Sequence, residues 1–208
     1  ASVVDELVTG RDVAFVSDAG MPGVADPGAR TARAVLDAGF EVTVVNGPSA
    51  ALAALVVSGL PTSRFVVEGF LPRSGSGRRV RLDDVAAERR TIVLFEAPHR
   101  LRQLLDELLG RCDADRPLAL CRELTKTHEE VWRGDLAGAV VWCAEHEPRG
   151  EFVVVLGGAP TTTVDDASLL EALRDAIAGG GTKRDAVDLV ASGTGVPRNR
   201  VYALLREV

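Results

Sequence analysis

Four short segments carry the residues of this sequence that could do chemistry, and each follows an apolar run. They are SDAGMPGVADPG (Ser17–Gly28), GPSA (Gly47–Ala50), EAPHR (Glu96–Arg100) and RELTK (Arg122–Lys126). Glycine lets a ligand approach the main chain, and proline fixes the direction of neighbouring peptide groups. Because ligand sites of open α/β proteins lie at the carboxyl ends of strands, we expect these segments to surround a ligand.

The first segment contains two aspartates with different expected roles. Asp18 follows the apolar run Asp12–Val16 and could accept a hydrogen bond from a ribose hydroxyl or an amine. Asp26 precedes Pro27, a pattern typical of a helix start, and we interpret it as a cap. We expect Asp18 and Gly20–Gly23 to contact a ligand, and the alternative is a strand-to-helix turn without one.

Ser49 admits two interpretations. Its place between a strand and a helix is that of a hydrolase nucleophile, with His99, His128 or His146 as the base. Against this, Pro48 removes a backbone donor, and no HGGG-like oxyanion segment is present. In the favoured interpretation Ser49 caps the helix, whose free N–H groups and hydroxyl face a ligand; the alternative is a cap alone.

The composition excludes several classes of protein. The chain has 208 residues and a formal net charge of -6, so binding to nucleic acid must be argued from local charge. Three cysteines, widely spaced, indicate free thiols in a reducing compartment rather than a disulfide framework or a metal site. No apolar run is long enough to span a membrane, and the histidines lack metal-ligand spacing, so we expect no metal.

Basic residues cluster in one region. Gly and Ser surround them in Pro72–Arg81, which predicts a mobile loop whose guanidinium groups suit phosphates; a solvated charge run is the alternative. A second basic set lies on the C-terminal helices. The cluster consists of Arg64, Arg73, Arg78, Arg79, Arg81, Arg89 and Arg90.

These segments need an α/β scaffold to position them. Apolar runs alternate with helical patterns, which predicts a parallel sheet covered by helices and a domain boundary near Leu60–Arg64. The expected strands are Asp12–Val16, Glu41–Val45, Phe65–Leu71, Thr91–Phe95, Leu118–Cys121, Val131–Arg133 and Glu151–Leu156, the last at an exposed edge or as the final strand. The expected helices include Val3–Val8, Ala29–Ala38, Leu101–Leu109 and Leu136–Ala144.

The C-terminal part predicts three short helices after a Thr/Asp linker. They cover Ala167–Ala178, Lys183–Ala191 and Arg198–Glu207, with a tight turn at Gly193–Pro197 before the last. This order is typical of a helix-turn-helix, and a plain helical cap is the alternative. The expected organisation is residues 1–60 and 61–160 in two α/β domains, followed by a helical extension over 165–208.

Five motifs carry a resemblance to a known family. SDAGMPGVADPG, NGPSAALAAL, SGLPTSRFVVEGFLP, FEAPHR and CRELTKTHEE occur in this order, within Val3–Gly158. They resemble the ribosomal RNA small-subunit methyltransferase I family, which belongs to the tetrapyrrole-methylase-like (class III) S-adenosylmethionine methyltransferases. Ala167–Val208 resembles the family's helix-turn-helix extension.

The resemblance implies two α/β domains with the cofactor in the cleft between them. It also implies 2′-O-methylation of a decoding-region cytidine in 16S rRNA and a homodimer. The expected cytoplasmic location comes from the free thiols.

The resemblance also assigns residues to the site. The implied cofactor contacts are Asp18, Ala19, Gly20, Pro22, Val24, Ser49, Ala50, Phe95, Glu96, Ala97, Leu124 and Gly150. The expected RNA contacts are Arg73, Arg78, Arg79, Arg81 and Arg100.

A ribose hydroxyl is a weak nucleophile, so a base or a cation beside it should help the reaction. We expect Glu123 or His99 to accept the proton, and Arg122 or Lys126 to hold phosphate. A structural ion pair between Arg122 and Glu123 is the alternative.

The family pattern begins with a strand and a proline/glycine loop that this sequence lacks, so we expect a fragment or a part supplied separately. Three other functions stay open at this point. One is a class III methyltransferase acting on a tetrapyrrole or another small molecule. Another is a non-catalytic RNA-binding or assembly module, and the third is a serine hydrolase. Binding of S-adenosylmethionine separates the methyltransferases from the other two.

Overall fold

The computed structural model describes residues 2–17, 20–160 and 165–206. The chain forms two compact units, Ala1–Ala159 and Pro160–Val208. In the described part no helix is both long enough and apolar enough to cross a membrane. The domain boundary expected near Leu60–Arg64 stays a prediction.

A five-stranded sheet organises the first unit, with the strand order β1-β2-β5-β3-β4. Val, Leu and Ile dominate its inner strands, as expected for strands covered on both faces. The strands are β1 (Phe65–Phe70), β2 (Thr91–Glu96), β3 (Pro117–Arg122), β4 (Glu130–Asp135) and β5 (Phe152–Leu156).

The expected parallel sheet is wrong for this unit, because the sheet is mixed. Among the strands of the described residues, only β1 and β2 pair in parallel, and the pairs β2–β5, β5–β3 and β3–β4 are antiparallel. The segment 123–129 between β3 and β4 is too short for a parallel crossover, so β4 returns beside β3. The expected exposed edge for β5 is also wrong, because β5 is central and buried along its whole length. It is the final strand in chain order, which was the other expectation.

These pairings give the sheet a common edge for ligand-binding segments. Since β5 is antiparallel to both β2 and β3, those two strands run in the same direction, and β1 runs with them. The carboxyl ends of β1, β2 and β3 and the start of β5 therefore meet at one edge, which we call the site edge.

Three helices cover one face of the sheet. They are α4 (Gly75–Ala87), α5 (Pro98–Leu109) and α6 (Leu136–Glu145). In α5, the buried leucines at positions 101, 104, 105 and 108 follow the helical period, and Pro98 lies in the first turn, where its missing N–H costs nothing. Arg116 fastens this layer, since its buried guanidinium donates to the carbonyls of Gly157 (2.7 Å) and Ala86 (2.8 Å).

Helix α3 (Ala50–Ser58) covers the opposite face. Ala51, Ala54 and Leu55 are buried against the inner residues of β2, β3 and β5. The Sγ atom of Cys121, near the end of β3, lies 3.9 Å from the carbonyl oxygen of Ala54. Beyond the helix, Thr91 at the start of β2 donates to the carbonyl of Pro61 at 2.6 Å. Helix α3 therefore runs away from the site edge, with its N-terminus toward that edge.

Two predicted strands are wrong. Neither Asp12–Val16 nor Glu41–Val45 is a strand, and Val16 and Val45 are 82% and 90% exposed. No backbone hydrogen bond of the described residues joins either segment to a strand, and a ladder requires such a partner. The neighbouring helices form close to their expected positions, as α1 (Val3–Val8) and α2 (Ala29–Asp37). The expected capping role of Asp26 is wrong, because Gly28 is the N-cap of α2 and no side chain of the described residues caps this helix.

The predicted mobile loop over Pro72–Arg81 is also wrong, because α4 begins at Gly75. Arg78, Leu82 and Val85 are buried at helical spacing and fix this helix against the sheet and α5. That packing outweighs the low helix propensity of Gly75 and Gly77 in the first turn.

The second unit contains the three expected helices. They are α7 (Asp166–Ala178), α8 (Lys183–Thr194) and α9 (Arg198–Ala203), followed by one 3₁₀ turn. Thr182 and Asp185 form a reciprocal capping box at the start of α8, and Gly195, at a φ of +67°, ends it. The unit has its own apolar core, formed by Leu169, Leu173, Ala186, Val187, Val190, Val196, Val201 and Leu204.

Candidate active site

The site edge brings two of the four predicted segments, EAPHR and RELTK, together with the start of β5. Glu96 ends β2, Arg122 ends β3 and Gly150 precedes β5. Glu96 pairs with Phe152, and Phe152 pairs with Arg122, so EAPHR and RELTK flank the start of β5.

Two loops in the N-terminal part of the chain, residues 20–28 and 47–50, touch each other, and we call them the glycine loops. A Cβ atom added to Gly47 would lie 3.2 Å from the carbonyl oxygen of Gly20, and one added to Gly20 would lie 3.6 Å from the carbonyl oxygen of Pro48. Gly20 has a φ of +81°, a conformation that side chains disfavour. The loops therefore approach each other closely through main-chain atoms, which glycine at positions 20 and 47 permits. Asp18 and Ala19 lie outside the described residues.

Ser49 acts as the N-cap of α3. Its Oγ accepts a hydrogen bond from the Leu52 N–H at 3.4 Å, so the cap is confirmed. The expected contact of this N-terminus with a ligand stays a prediction. The described hydrogen bonds of Ser49 include none to a histidine, and His146 instead stacks on Trp142 with ring centroids 4.7 Å apart. Without a base beside the hydroxyl, a hydrolase has no support from the geometry.

Glu96 is the most deeply buried acid at the site edge, with a side chain 1% exposed. Its Oε1 accepts from the Ala97 N–H at 3.0 Å and lies 3.3 Å from Arg100 Nε. Its Oε2 lies 4.0 Å from Arg78 Nη1 and makes no hydrogen bond within the part of the chain that the structure describes. Two cations thus compensate the burial of this carboxylate.

The RELTK segment has a strained backbone at the site edge. Glu123 and Thr125 adopt φ values of +45° and +64°, which are uncommon for residues with side chains. Glu123 Oε1 accepts from the Glu151 N–H at 2.8 Å, and a Cβ on Gly150 would meet Glu123 Cγ at 2.7 Å. Glycine at position 150 therefore allows the Glu123 side chain to fold over the start of β5.

Hydrogen bonds also set the charge states of this segment. The Glu151 N–H and the Lys126 ammonium group hold the pKa of Glu123 below its usual range. Lys126 Nζ contacts the carboxylates of Glu151 (3.0 Å) and Glu123 (3.1 Å), which raise the pKa of Lys126. The alternative pairing of Arg122 with Glu123 is wrong, because Arg122 pairs with Glu130 at 3.3 Å.

The five arginines expected to contact RNA have different environments. Arg78 is buried and paired with Glu107 at 2.6 Å, so its guanidinium is not available at the surface. Arg81 pairs with Glu68, and Arg100 donates to the carbonyl of Leu71 at 3.1 Å. Arg73 and Arg79 are exposed and make no ion pair in the described part of the chain.

The remaining predicted cofactor residues lie at three places. Phe95, Ala97 and Leu124 are half-buried at the ends of β2 and β3, and Gly150 is exposed. Pro22 and Val24 lie in the first glycine-rich loop, and Ala50 begins α3. Their contact with a cofactor stays a prediction.

Sequence reasoning missed Phe70 and Gln103, which line a cleft at the site edge with Arg73 and His99. The position of Phe70 directly before Leu71–Pro72, at the end of an apolar run, was the available signal. The described residues contain no group of three or more potential metal ligands.

Comparison with known proteins places the chain in a family. A family model described as Tetrapyrrole (Corrin/Porphyrin) Methylases matches residues 1–140. The chain is 41% identical over 206 residues to ribosomal RNA small subunit methyltransferase I of Synechocystis sp., covering 98% of this chain and 74% of the relative. It is 43% identical over 202 residues to the protein of the same name from Mycobacterium tuberculosis, covering 97% and 70%.

Solved structures show the same fold. The methyltransferase CobJ matches with a TM-score of 0.58 and 22% identity, over 78% of this chain and 71% of that chain. The cobalamin biosynthetic enzyme cobalt precorrin-4 methyltransferase matches with a TM-score of 0.57 and 17% identity, over 74% and 66%. The expected fold class and S-adenosylmethionine as cofactor are confirmed. The chain belongs to the tetrapyrrole methylase family and, within it, to the ribosomal RNA small subunit methyltransferase I family.

Proposed function

We propose that the chain transfers a methyl group from S-adenosylmethionine to the ribose 2′-hydroxyl of a cytidine in the decoding region of small-subunit rRNA. The observation that carries this proposal is the meeting of EAPHR, RELTK and the start of β5 at the site edge. The N-terminus of α3, preceded by the two touching glycine loops, points toward the same edge. Homodimerisation and a cytoplasmic location belong to the same proposal.

The residues present fit the cofactor. Gly20 and Gly47 leave main-chain groups uncovered by side chains, and the predicted second-domain contacts at Phe95 and Ala97 lie at the end of β2. When bound, S-adenosylmethionine supplies an electrophilic methyl group on a sulfonium. The protein then contributes binding, orientation and electrostatics.

His99 is the better placed of the two predicted proton acceptors. It is exposed in the first turn of α5 and lines the cleft at the site edge. Glu123 already accepts two hydrogen bonds, and they lower its pKa, which makes it a weaker base. We assign Glu123, with Lys126 and Arg122, to holding the RELTK segment in its strained conformation, and His99 to accepting the proton from the 2′-hydroxyl.

The test is methyl transfer from labelled S-adenosylmethionine to intact small ribosomal subunits, free 16S rRNA and large subunits. After digestion to nucleosides, we expect 2′-O-methylcytidine from the small-subunit substrates only. A general base contributes about 10²-fold or more to the rate. His99→Asn should therefore lower the rate of methyl transfer by that order, while its affinity for S-adenosylmethionine is retained. A methylated base, or transfer to a tetrapyrrole but not to RNA, would contradict the proposal.

A further inference from the structure

A cleft of about 650 Å³ opens at the site edge between the segment that follows β1 and the first turn of α5. Phe70, Arg73 and Gln103 line it, together with Ala97 and His99. Of these residues, only Arg73, His99 and Ala97 belong to the sites predicted from the sequence, and the cleft joins an expected RNA contact to an expected catalytic residue.

Two arginines hold the β1 side of the cleft in place: Arg78, which is buried, and Arg100, which itself lines the cleft. Arg78 Nη1 donates to the carbonyl of Pro72 at 2.9 Å, and Arg100 Nη2 donates to that of Leu71 at 3.1 Å. Glu107 contacts Arg78 at 2.6 Å, and Glu96 contacts Arg100 at 3.3 Å. Both guanidinium groups are thus committed to acids and carbonyls inside the protein. They fix the backbone that leads into Arg73, and such preorganisation lowers the entropic cost of binding.

The surface of the cleft combines an aromatic ring with a cation. Phe70 is 55% exposed, and Phe95 supports its ring from behind with centroids 5.5 Å apart. Arg73 is exposed beside it and makes no ion pair within the described residues. A ring that stacks on a base and a guanidinium that holds a phosphate form the combination used to bind single-stranded nucleic acid.

A larger groove beside the free edge of β1 lacks this combination. It measures about 1140 Å³ and contains Arg64, Arg81, Arg89 and Arg90. Acids in the same groove offset two of these charges, since Glu68 pairs with Arg81 and Glu88 pairs with Arg90. The contact with Arg90 lowers the pKa of Glu88 to about 2, so this acid stays charged at neutral pH. The described lining of the groove contains no aromatic side chain on which a base could stack.

We propose that the cleft binds one nucleotide of the single-stranded RNA substrate, with its base stacked on Phe70 and a phosphate held by Arg73. This inference rests on the proposed function, because it names the part of the RNA that the site edge holds. Of the five expected RNA contacts it keeps Arg73 in the cleft, and it excludes Arg78, Arg81 and Arg100, which contact acids or carbonyls of the protein. Arg79 lies outside the cleft lining and stays a prediction, and Phe70 is added.

The test is an anisotropy titration of a fluorescent cytidine-rich RNA of about ten nucleotides at several salt concentrations. Losing one phosphate contact removes about 0.7 from the slope of log K against log salt for a single strand, so Arg73→Gln should weaken binding and flatten the slope by that amount. Phe70→Leu should weaken binding about tenfold at an unchanged slope, because stacking is lost. Arg102→Gln is the matched control, since Arg102 is exposed on the same helix as His99 but lies outside the cleft lining, and it should bind within about twofold of the unmodified chain.

Equal losses in Arg73→Gln and Arg102→Gln, or normal binding by both cleft variants, would overturn the inference. If Phe70→Leu fails to fold, Arg73→Glu decides the question, because Arg73 is exposed and its replacement disturbs no core. Methyl transfer to small subunits is measured in parallel on the unmodified chain. If the unmodified chain transfers methyl groups but the cleft variants bind RNA normally, only the nucleotide site is refuted. If the unmodified chain transfers no methyl group, the proposed function is refuted.

Discussion

Several charged residues at the site edge stabilise the backbone through hydrogen bonds and ion pairs, and Glu123 is the clearest case. Its carboxylate accepts from the Glu151 N–H at 2.8 Å and from Lys126 Nζ at 3.1 Å. Its own N–H donates to the Glu151 carbonyl at 3.0 Å. These contacts hold a residue with a φ of +45° against the start of β5.

This arrangement makes a pH-dependent prediction. Because hydrogen bonds lower the pKa of folded Glu123 from its ordinary 4.5, its stabilising effect is complete above that value and is lost as the pH falls through the lowered pKa. We therefore expect Glu123→Gln to melt at a lower temperature than the unmodified chain at pH 7. The difference should shrink as the pH is lowered below 4.5.

Thermal melting followed by circular dichroism across this pH range measures the effect. Glu171→Gln is the control, since Glu171 is exposed and makes no ion pair in the described chain. A pH-independent difference between Glu123→Gln and the unmodified chain would show that the negative charge of Glu123 does not stabilise the fold.

Residue types alone could not separate the buried arginines from the exposed ones. Arg78 and Arg79 are neighbours in the same Gly/Ser-rich stretch, yet only Arg78 faces Glu107, which lies 29 residues away in the chain. The segments EAPHR and RELTK were identified correctly as strand ends, because each follows an apolar run. Long-range partners decide which of their charged groups remain free, and a single sequence does not contain that information.

At the scale of elements, α3 connects the glycine loops to the sheet. Ala54 has no exposed surface and packs against the inner strands, while Val56 on the same helix is 72% exposed. Ser49 caps the first turn, and Arg133 Nε donates to the Val57 carbonyl at 2.8 Å near the last. The small residues of α3 let the helix approach the sheet closely, and this fixes where its N-terminus lies.

We expect Ala54→Leu to destabilise the protein by about 1–3 kcal/mol, because added methyl groups overpack a close helix–sheet contact. Val56→Leu, on the exposed face of the same helix, should change stability by less than about 0.5 kcal/mol. Urea unfolding monitored by fluorescence measures both. Equal stabilities of the two variants would mean that α3 does not pack as described.

Element prediction succeeded where local pattern and tertiary partners agree. Helix α5 and strands β1 to β5 lie close to their expected positions, because apolar periodicity marks buried faces. The segments Asp12–Val16 and Glu41–Val45 have the same apolar pattern but no strand beside them in the described structure. Helix α4 shows the opposite error, since glycine and serine indicated a loop where burial of Leu82 and Val85 requires a helix.

At the scale of the whole molecule, strand direction explains how segments far apart in the chain reach one edge. The order β1-β2-β5-β3-β4 places the ends of β2 and β3 on either side of the start of β5. The sequence predicted the strand ends but not the antiparallel insertion of β5, because register and order depend on the assembled sheet. Family membership identifies the cofactor as S-adenosylmethionine. The glycine loops and the strand ends are the surfaces proposed to bind it.

The central claim is that touching glycine loops beside this edge hold S-adenosylmethionine, and calorimetric titration of that cofactor tests it most directly. A methyl group on Gly47 would lie 3.2 Å from the Gly20 carbonyl oxygen, whereas one on Gly77 in α4 would meet no atom within 4 Å. We predict that Gly47→Ala weakens cofactor binding at least fivefold, equivalent to about 1 kcal/mol, and that the matched variant Gly77→Ala binds like the unmodified chain. Equal affinity of Gly47→Ala and the unmodified chain, or no binding by the latter, would contradict the account.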